Sequence, residues 1–200
     1  RSRVVDYMID GFKAGITPNP DVMCNQEIKF KLFLHTALEK GADMIATGHY
    51  AKAKNGQLLK AKDSNKDQTY FLYRVSEKAL EKTLFPLGDY TKPEVRALAK
   101  KFGLVTASKK ESMGICFVGE VPMKDFLMKE IKSKKGKIVL SNGEVLGEHD
   151  GLPFYTIGQR NLGVKTDSNK PLYVVDKRSS TNELVVGFED DKLLYKKEAE

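Results

Sequence analysis

A chain of 200 residues that is 40% hydrophobic and 30% charged holds enough apolar material for one large or two modest packed domains, which excludes wholesale disorder. Its 34 basic and 27 acidic side chains leave a net charge of +7, which favours a polyanionic partner, nucleic acid first among them. No apolar run approaches the roughly 18 residues that span a bilayer, no basic leader precedes an apolar stretch, and two distant cysteines with three histidines match no zinc spacing, so neither membrane nor metal is expected.

In chain order, the first segment with a chemical signature is Thr17-Pro18-Asn19-Pro20-Asp21-Val22-Met23-Cys24-Asn25. Two prolines fix φ and push the residues before them toward extended backbone, which predicts a stiff loop rather than a helix. Asn25 is placed to cap a following helix, whose apolar positions Phe30, Phe33, Leu34, Ala37 and Leu38 recur at helical spacing and which Gly41 ends. Ala42 to Thr47 is short and apolar and stops at Gly48-His49-Tyr50, the pattern of a buried strand delivering a polar tip. Helix then strand is half of an α/β unit. Ligands in open α/β sheets bind beyond the carboxyl ends of strands, so Gly48 and His49 fall where a site belongs.

Lys66-Asp67-Gln68 precedes Thr69-Tyr70-Phe71-Leu72-Tyr73, aromatic residues that either stack bases or fill a core. Thr91-Lys92-Pro93-Glu94 is a capping box, and Val95, Leu98, Ala99 and Phe102 form the apolar stripe of the helix that Gly103 ends. Cys116 follows Lys109 and Lys110, cations that favour thiolate over thiol, just as Asp21 lies three residues before Cys24 and offers a carboxylate for proton transfer. Each cysteine alone also reads as a buried hydrophobe. Met123, Phe126, Leu127 and Ile131 mark another helix, after which the period changes. Lys137 to Leu140 and Glu144 to Leu146 flank Asn142-Gly143, a hairpin signal because that dipeptide accepts two positive φ angles. Leu172 to Asp176 and Glu183 to Val186 add a second strand pair, placing a domain boundary near Val121-Pro122. Between the pairs, Tyr155 to Gly163 sets glycines near Gln159 and Arg160, suited to phosphate contact or to a plain turn. His35 reads as a half-exposed helix residue and His149 as a hairpin end.

Gly15 to Asp21 with Cys24-Asn25, then Ile28-Lys29-Phe30, Ala46 to Ala51, Lys66-Asp67-Gln68, Phe85-Pro86-Leu87-Gly88, Lys109 to Ser112 with Ile115-Cys116-Phe117, and Tyr155 to Arg160 closely resemble the tRNA-specific 2-thiouridylase (MnmA/TrmU) family, in order and spacing almost end to end. The resemblance implies an α/β fold: residues 1–122 as the C-terminal part of a pyrophosphate-loop, Rossmann-type catalytic domain, 123–190 as a smaller strand-rich central domain, and 191–200 as the start of a C-terminal β-barrel. It implies replacement of the C2 oxygen of the wobble uridine by sulfur, with ATP and Mg2+ activating that oxygen by adenylation. Cys116 would carry the sulfur as a persulfide, Cys24 would be the nucleophile that frees it in a Cys24–Cys116 disulfide, and Asp21 the acid/base residue. Asn19, Pro20 and Asp21 would contact the target uridine, Gly48 the ATP, and His49, Lys66, Asp67, Gln68 and Gln159 the tRNA. A cysteine desulfurase or sulfur-relay protein would supply the sulfur, in the cytoplasm.

One departure stands out. The family's Ser-Gly-Gly-Val-Asp-Ser pyrophosphate loop is absent from this sequence, so the expectation is an active parent protein and an excerpt that alone neither binds ATP tightly nor thiolates tRNA. Two alternatives are a non-catalytic tRNA-binding module, which would need no cysteine pair, and a dithiol redox protein, which would be expected to carry Cys-x-x-Cys.

Overall fold

The computed structural model describes residues 2–109, 123–168 and 170–195. Cys116, the predicted boundary at Val121-Pro122 and the final five residues of the predicted barrel start lie outside the described residues. In chain order the helices are α1 Tyr7–Lys13, α2 Pro20–Cys24, α3 Leu34–Glu39, α4 Glu77–Glu81, α5 Lys92–Lys101 and α6 Met123–Glu130. The strands are β1 Ile45–Ala46, β2 Lys52–Lys54, β3 Gln57–Leu59, β4 Thr83–Leu84, β5 Gly136–Leu140, β6 Val145–His149, β7 Tyr173–Arg178 and β8 Glu183–Gly187. Contacts divide the chain into two compact units: residues 2–4 and 19–109 form the first, and residues 5–18 with the described part of 123–195 form the second.

In the first unit the predicted stiff loop is replaced, from Pro20 onward, by a helix. Asn19 has extended backbone (φ −97°, ψ 101°), and its side-chain oxygen accepts from the N–H groups of Asp21 at 3.1 Å and Val22 at 3.3 Å. Pro20 takes the first helical position, where a missing N–H costs nothing and a fixed φ is already correct. Asn25 is therefore no cap; it has helical angles (φ −60°, ψ −52°) inside a continuous coil that runs from α2 through a π-helical stretch, Asn25–Phe33, into α3. The wider π turn shifts the phase of the predicted stripe. Phe30 and Leu34 are buried, whereas Phe33 is 54% and Leu38 38% exposed. Gly41 ends the helix as expected: at φ +88° its N–H reaches the Leu38 carbonyl and that of Ala42 the Ala37 carbonyl, both at 3.0 Å.

β1 and β4 pair in parallel, Ile45 against Thr83 and Ala46 against Leu84, with α4 packed nearby. The predicted buried strand is thus real but two residues long, ending at Ala46, two residues short of Gly48, and only its Ile45 is buried. β2 and β3 form a hairpin on Asn55-Gly56, both with positive φ (+50° and +73°), a turn the sequence reading overlooked. Phe30, Leu34, Ile45, Ala51, Leu72, Val75, Ala79 and Leu80 form the core of this unit. At α5 the Glu94 carboxylate accepts from the Thr91 N–H at 2.6 Å and hydroxyl at 2.9 Å, and the Lys62 ammonium at 2.8 Å with these bonds holds it down to about 2. The helix is where it was expected, but its stripe is only half covered and Phe102 is 68% exposed.

The second unit is a four-stranded sheet in the order β6-β5-β8-β7. Both predicted strand pairs are present, joined by a parallel pairing of β5 with β8 that no local signal announces. Alternation along the strands sends Ile138, Leu140, Val174, Leu184 and Val186 to one face and Val139, Val175 and Val185 to the other, and both faces are covered. The β5–β6 turn differs from the expected pair of positive φ angles: only Gly143 is positive (+96°). Leu140 pairs with Glu144 across three residues, and Asn142 instead uses its side chain to accept the Glu144 N–H at 3.0 Å. Residues 5–18 join this unit through α1, whose Met8 and Phe12 are buried, through the Thr17 and Thr156 hydroxyls at 3.0 Å, and through the Lys177 ammonium, which donates to the Gly15 carbonyl. His149, at the end of β6, is 1% exposed: its Nδ1 accepts the Gly151 N–H at 3.0 Å, which leaves Nε2 to donate to the Asn182 carbonyl at 3.2 Å. His35 is exposed on α3, beside Glu39 at 3.2 Å.

Candidate functional site

Conversion of the loop into α2 places Asp21 and Cys24 three residues apart on a helix, where such side chains share a face about 5–6 Å apart at Cβ. Asp21 is half-buried and Cys24 is 4% exposed. The next residue, Asn25, donates from Nδ2 to the Phe71 carbonyl at 3.0 Å, and the Arg74 guanidinium lies 3.5 Å from the Met23 sulfur. The helix is thereby tied to the turn Thr69–Phe71. Buried acceptors remain beside it, the side-chain oxygens of Asn25 and Gln26, which make no hydrogen bond to the described residues.

Beyond β1, Gly48 is exposed at the carboxyl end of a parallel strand. A Cβ added there would meet only a Leu87 methyl at 3.9 Å, and its φ is not in the left-handed region, so the fold itself does not require glycine. Gly88 differs: a Cβ would lie 2.2 Å from the Ala51 carbonyl oxygen, and that backbone has no freedom to retreat while Ala51 is fully buried. Gly48→Ala is expected to leave stability within about 0.5 kcal/mol, whereas Gly88→Ala should lose about 1–3 kcal/mol, both read by urea denaturation. Equal losses would contradict this division.

His49 follows Gly48 but turns inward. It is 9% exposed, its Nδ1 lies 3.0 Å from the Thr47 hydroxyl, and its ring sits against Phe30 and Phe85 at centroid distances of 5.7 and 6.3 Å. Burial, with the nearby Lys29 charge, lowers its pKa to about 4. The ring is therefore neutral at pH 7 and does not serve as a cation for phosphate. Because the unfolded chain takes the proton first, His49 contributes stability that is full above about pH 6.5 and lost as pH falls to about 4. The loss is about 3 kcal/mol at 1.36 kcal/mol per unit. Subtracting the pH profile of His49→Gln should isolate it; identical profiles would refute it.

The triplet at 66–68 splits by role. Asp67 accepts from the Ala61 N–H at 2.7 Å, from the Thr69 N–H at 3.2 Å and from the Thr69 hydroxyl; burial pushes its carboxyl up, and these bonds with the Lys60 charge bring it below the usual carboxylate range. Gln68 clasps Tyr50, its Oε1 accepting the Tyr50 N–H and its own N–H donating to the Tyr50 carbonyl, each at 2.9 Å. Both side chains hold protein backbone, and Lys66 is the basic member of the triplet. Tyr70 and Tyr73 just beyond are 69% and 66% exposed, while Leu72 between them is fully buried. In the second unit Gln159 also faces its own turn, its Oε1 accepting the Thr156 N–H at 3.0 Å, with the Arg160 guanidinium 5.4 Å from the Tyr173 ring centre. The structure thus brings Asn19, Pro20, Asp21 and Cys24 onto one short helix and its cap, and joins that helix to the turn after the triplet. The joints, Asn25 and Arg74, were missed as site residues because their partners lie 46 and 51 positions away.

Two family models match the chain, and they count residues 5–18 with the first part although these pack with the second unit. The family model described as tRNA methyl transferase HUP domain matches residues 1–120, and that described as tRNA methyl transferase PRC-barrel domain matches residues 124–188. The chain is 53% identical over 192 residues to a Legionella pneumophila (strain Paris) protein named tRNA-specific 2-thiouridylase MnmA, covering 92% of this chain and 53% of the relative. It is 52% identical over 201 residues to the protein of that name from Neisseria gonorrhoeae (98% and 54%) and 51% over 203 residues to that from Streptococcus sanguinis (96% and 54%). The chain spans about half the length of these relatives. With a HUP-type α/β part followed by a PRC-barrel part, and with this likeness along nearly all of its sequence, the chain belongs to the tRNA methyl transferase HUP-domain family, alongside the 2-thiouridylases it resembles.

Proposed function

We propose that this chain is part of an ATP-dependent enzyme that replaces the C2 oxygen of the wobble uridine of tRNA with sulfur. The observation that carries the reading is the shared helix of Asp21 and Cys24 in a chain 51–53% identical to 2-thiouridylases. The activity follows the relatives' name rather than the methyl transfer of the family description, since the high identity is to proteins bearing that name. In this reading residues 1–122 belong to the catalytic domain, 123–190 to the central domain, and 191–200 open a C-terminal barrel.

Cys116 carries the sulfur as a persulfide, delivered by a cysteine desulfurase or relay protein. The Cys24 thiolate attacks the Cys116 sulfur nearer the protein, the Cys24–Cys116 bond forms, the persulfide bond breaks, and hydrosulfide leaves to attack C2. A reductant then reopens the disulfide. Asp21, on the same helix face, exchanges the proton at the reacting base, and Asn19 with Pro20 shapes the rim of its pocket. ATP, held with Mg2+, would supply the leaving group: the C2 oxygen would take the adenylyl group as pyrophosphate leaves, and would depart as AMP when sulfur displaces it. Gly48 fits a nucleotide contact, being exposed at a strand end with room for an approaching ligand atom where a side chain would stand. In the full-length protein Gly48→Ala should therefore raise the KM for ATP while sparing stability. His49 with its buried ring, Lys66, Asp67, Gln68 and, in the second unit, Gln159 support the tRNA-facing surfaces. The enzyme's action is proposed for the cytoplasm, where tRNA is used in translation. The 200 residues alone, which contain no pyrophosphate-loop sequence, neither hold ATP tightly nor thiolate tRNA.

The test is mass spectrometry of tRNA nucleosides from cells whose full-length protein carries Cys116→Ser. Loss of 2-thiouridine with tRNA binding retained is the expected result; unchanged 2-thiouridine would return the chain to an RNA-binding or redox role.

A further inference from the structure

Tyr70 lies within the 3₁₀ turn Thr69–Phe71 and Tyr73 two residues beyond its end. Both rings are two-thirds exposed, at 69% and 66%, although isolated aromatic side chains are ordinarily drawn inward. The mount beneath them is rigid. Leu72 is fully buried in the core, the Tyr70 ring meets Phe71 at 5.4 Å and 86°, and Asp67 and Gln68 pin the preceding loop to Ala61 and Tyr50. The Phe71 carbonyl is held by Asn25 and Arg74 reaches Met23, so the turn is fastened to the helix of Asp21 and Cys24. Lys66 and Arg74 bracket the rings in sequence, within a chain of net charge +7.

We infer that Tyr70 and Tyr73 form a stacking platform for unpaired bases of the tRNA next to the target uridine, an assignment that rests on the function proposed above. A flat π face accepts any base, and flanking cations draw in the phosphates between successive bases. A base acted on at C2 must leave its stack, and its neighbours then need a replacement surface. Asp67 and Gln68 keep that surface in place through the loop, and the RNA-facing groups of this segment are Lys66 and the two rings.

The test titrates the full-length protein, at fixed salt, with a labelled anticodon stem-loop RNA and with a fully paired RNA of equal length. Tyr70→Ala and Tyr73→Ala should each weaken stem-loop binding by about 5- to 100-fold and leave duplex binding unchanged. Tyr70→Phe and Tyr73→Phe, which keep the ring, should bind as the unmutated protein does, and thermal melts should be unaltered. Stem-loop binding undiminished in the alanine variants would overturn the platform while the thiolation reading stands on its nucleoside analysis. So would equal losses for both RNAs. A change in oligomeric size with unchanged RNA binding would overturn it in favour of a protein interface, and no binding of either RNA by the unmutated protein would overturn the platform together with the tRNA-binding reading of this chain.

Discussion

Cys24→Ser in the full-length protein is expected to abolish 2-thiouridine, slowing turnover on the order of a thousandfold or more, while tRNA still binds. A serine oxygen at this position forms no bond to the inner sulfur of the persulfide, so no hydrosulfide is set free. Cys24 is 4% exposed, and burying a hydroxyl there costs about 1–3 kcal/mol, which by itself could lower activity by unfolding. Cys24→Ala removes that ambiguity because it buries no polar atom. Single-turnover assays on both variants, with urea denaturation beside them, separate chemistry from stability. Activity surviving in a stably folded Cys24→Ala protein would remove Cys24 from the mechanism.

Leu184→Ala should have the largest effect on stability, about 2–5 kcal/mol. Leu184 is fully buried on β8, the strand that pairs with both β5 and β7, and its side chain packs among Ile138, Leu140, Val174 and Val186. Truncation leaves a cavity in a sheet covered on both faces, where neighbours have little room to relax. Against a typical total of about 5–15 kcal/mol, that loss should appear as a lower urea midpoint with an unchanged slope. An unmoved midpoint would show that Leu184 is not part of a packed core.

Local chemistry made several elements readable before any coordinates. Thr91 and Glu94 announce α5, Gly41 the end of α3, and short apolar runs the strands of the second unit, because each depends on neighbours within a few positions. The error at Pro20 came from applying proline's preference for extended neighbours without its equal preference for the first turn of a helix. That error concealed the shared face of Asp21 and Cys24. The stripe after Asn25 failed in phase for another reason, since a π turn leaves no mark in the pattern that a 3.6-residue period would reveal.

The sequence by itself determined the family, with which the two family models and the high identity along nearly the whole chain agree. It also determined which segments are helix and which are strand wherever capping and periodicity act locally. Only the tertiary structure decided that His49 is buried and neutral, that Asp67 and Gln68 hold protein backbone, that Tyr70 and Tyr73 face outward, and that residues 5–18 belong with the second unit. Burial and partnership depend on groups brought together from distant parts of the chain, and a sequence lists a residue's neighbours in order without listing its neighbours in space.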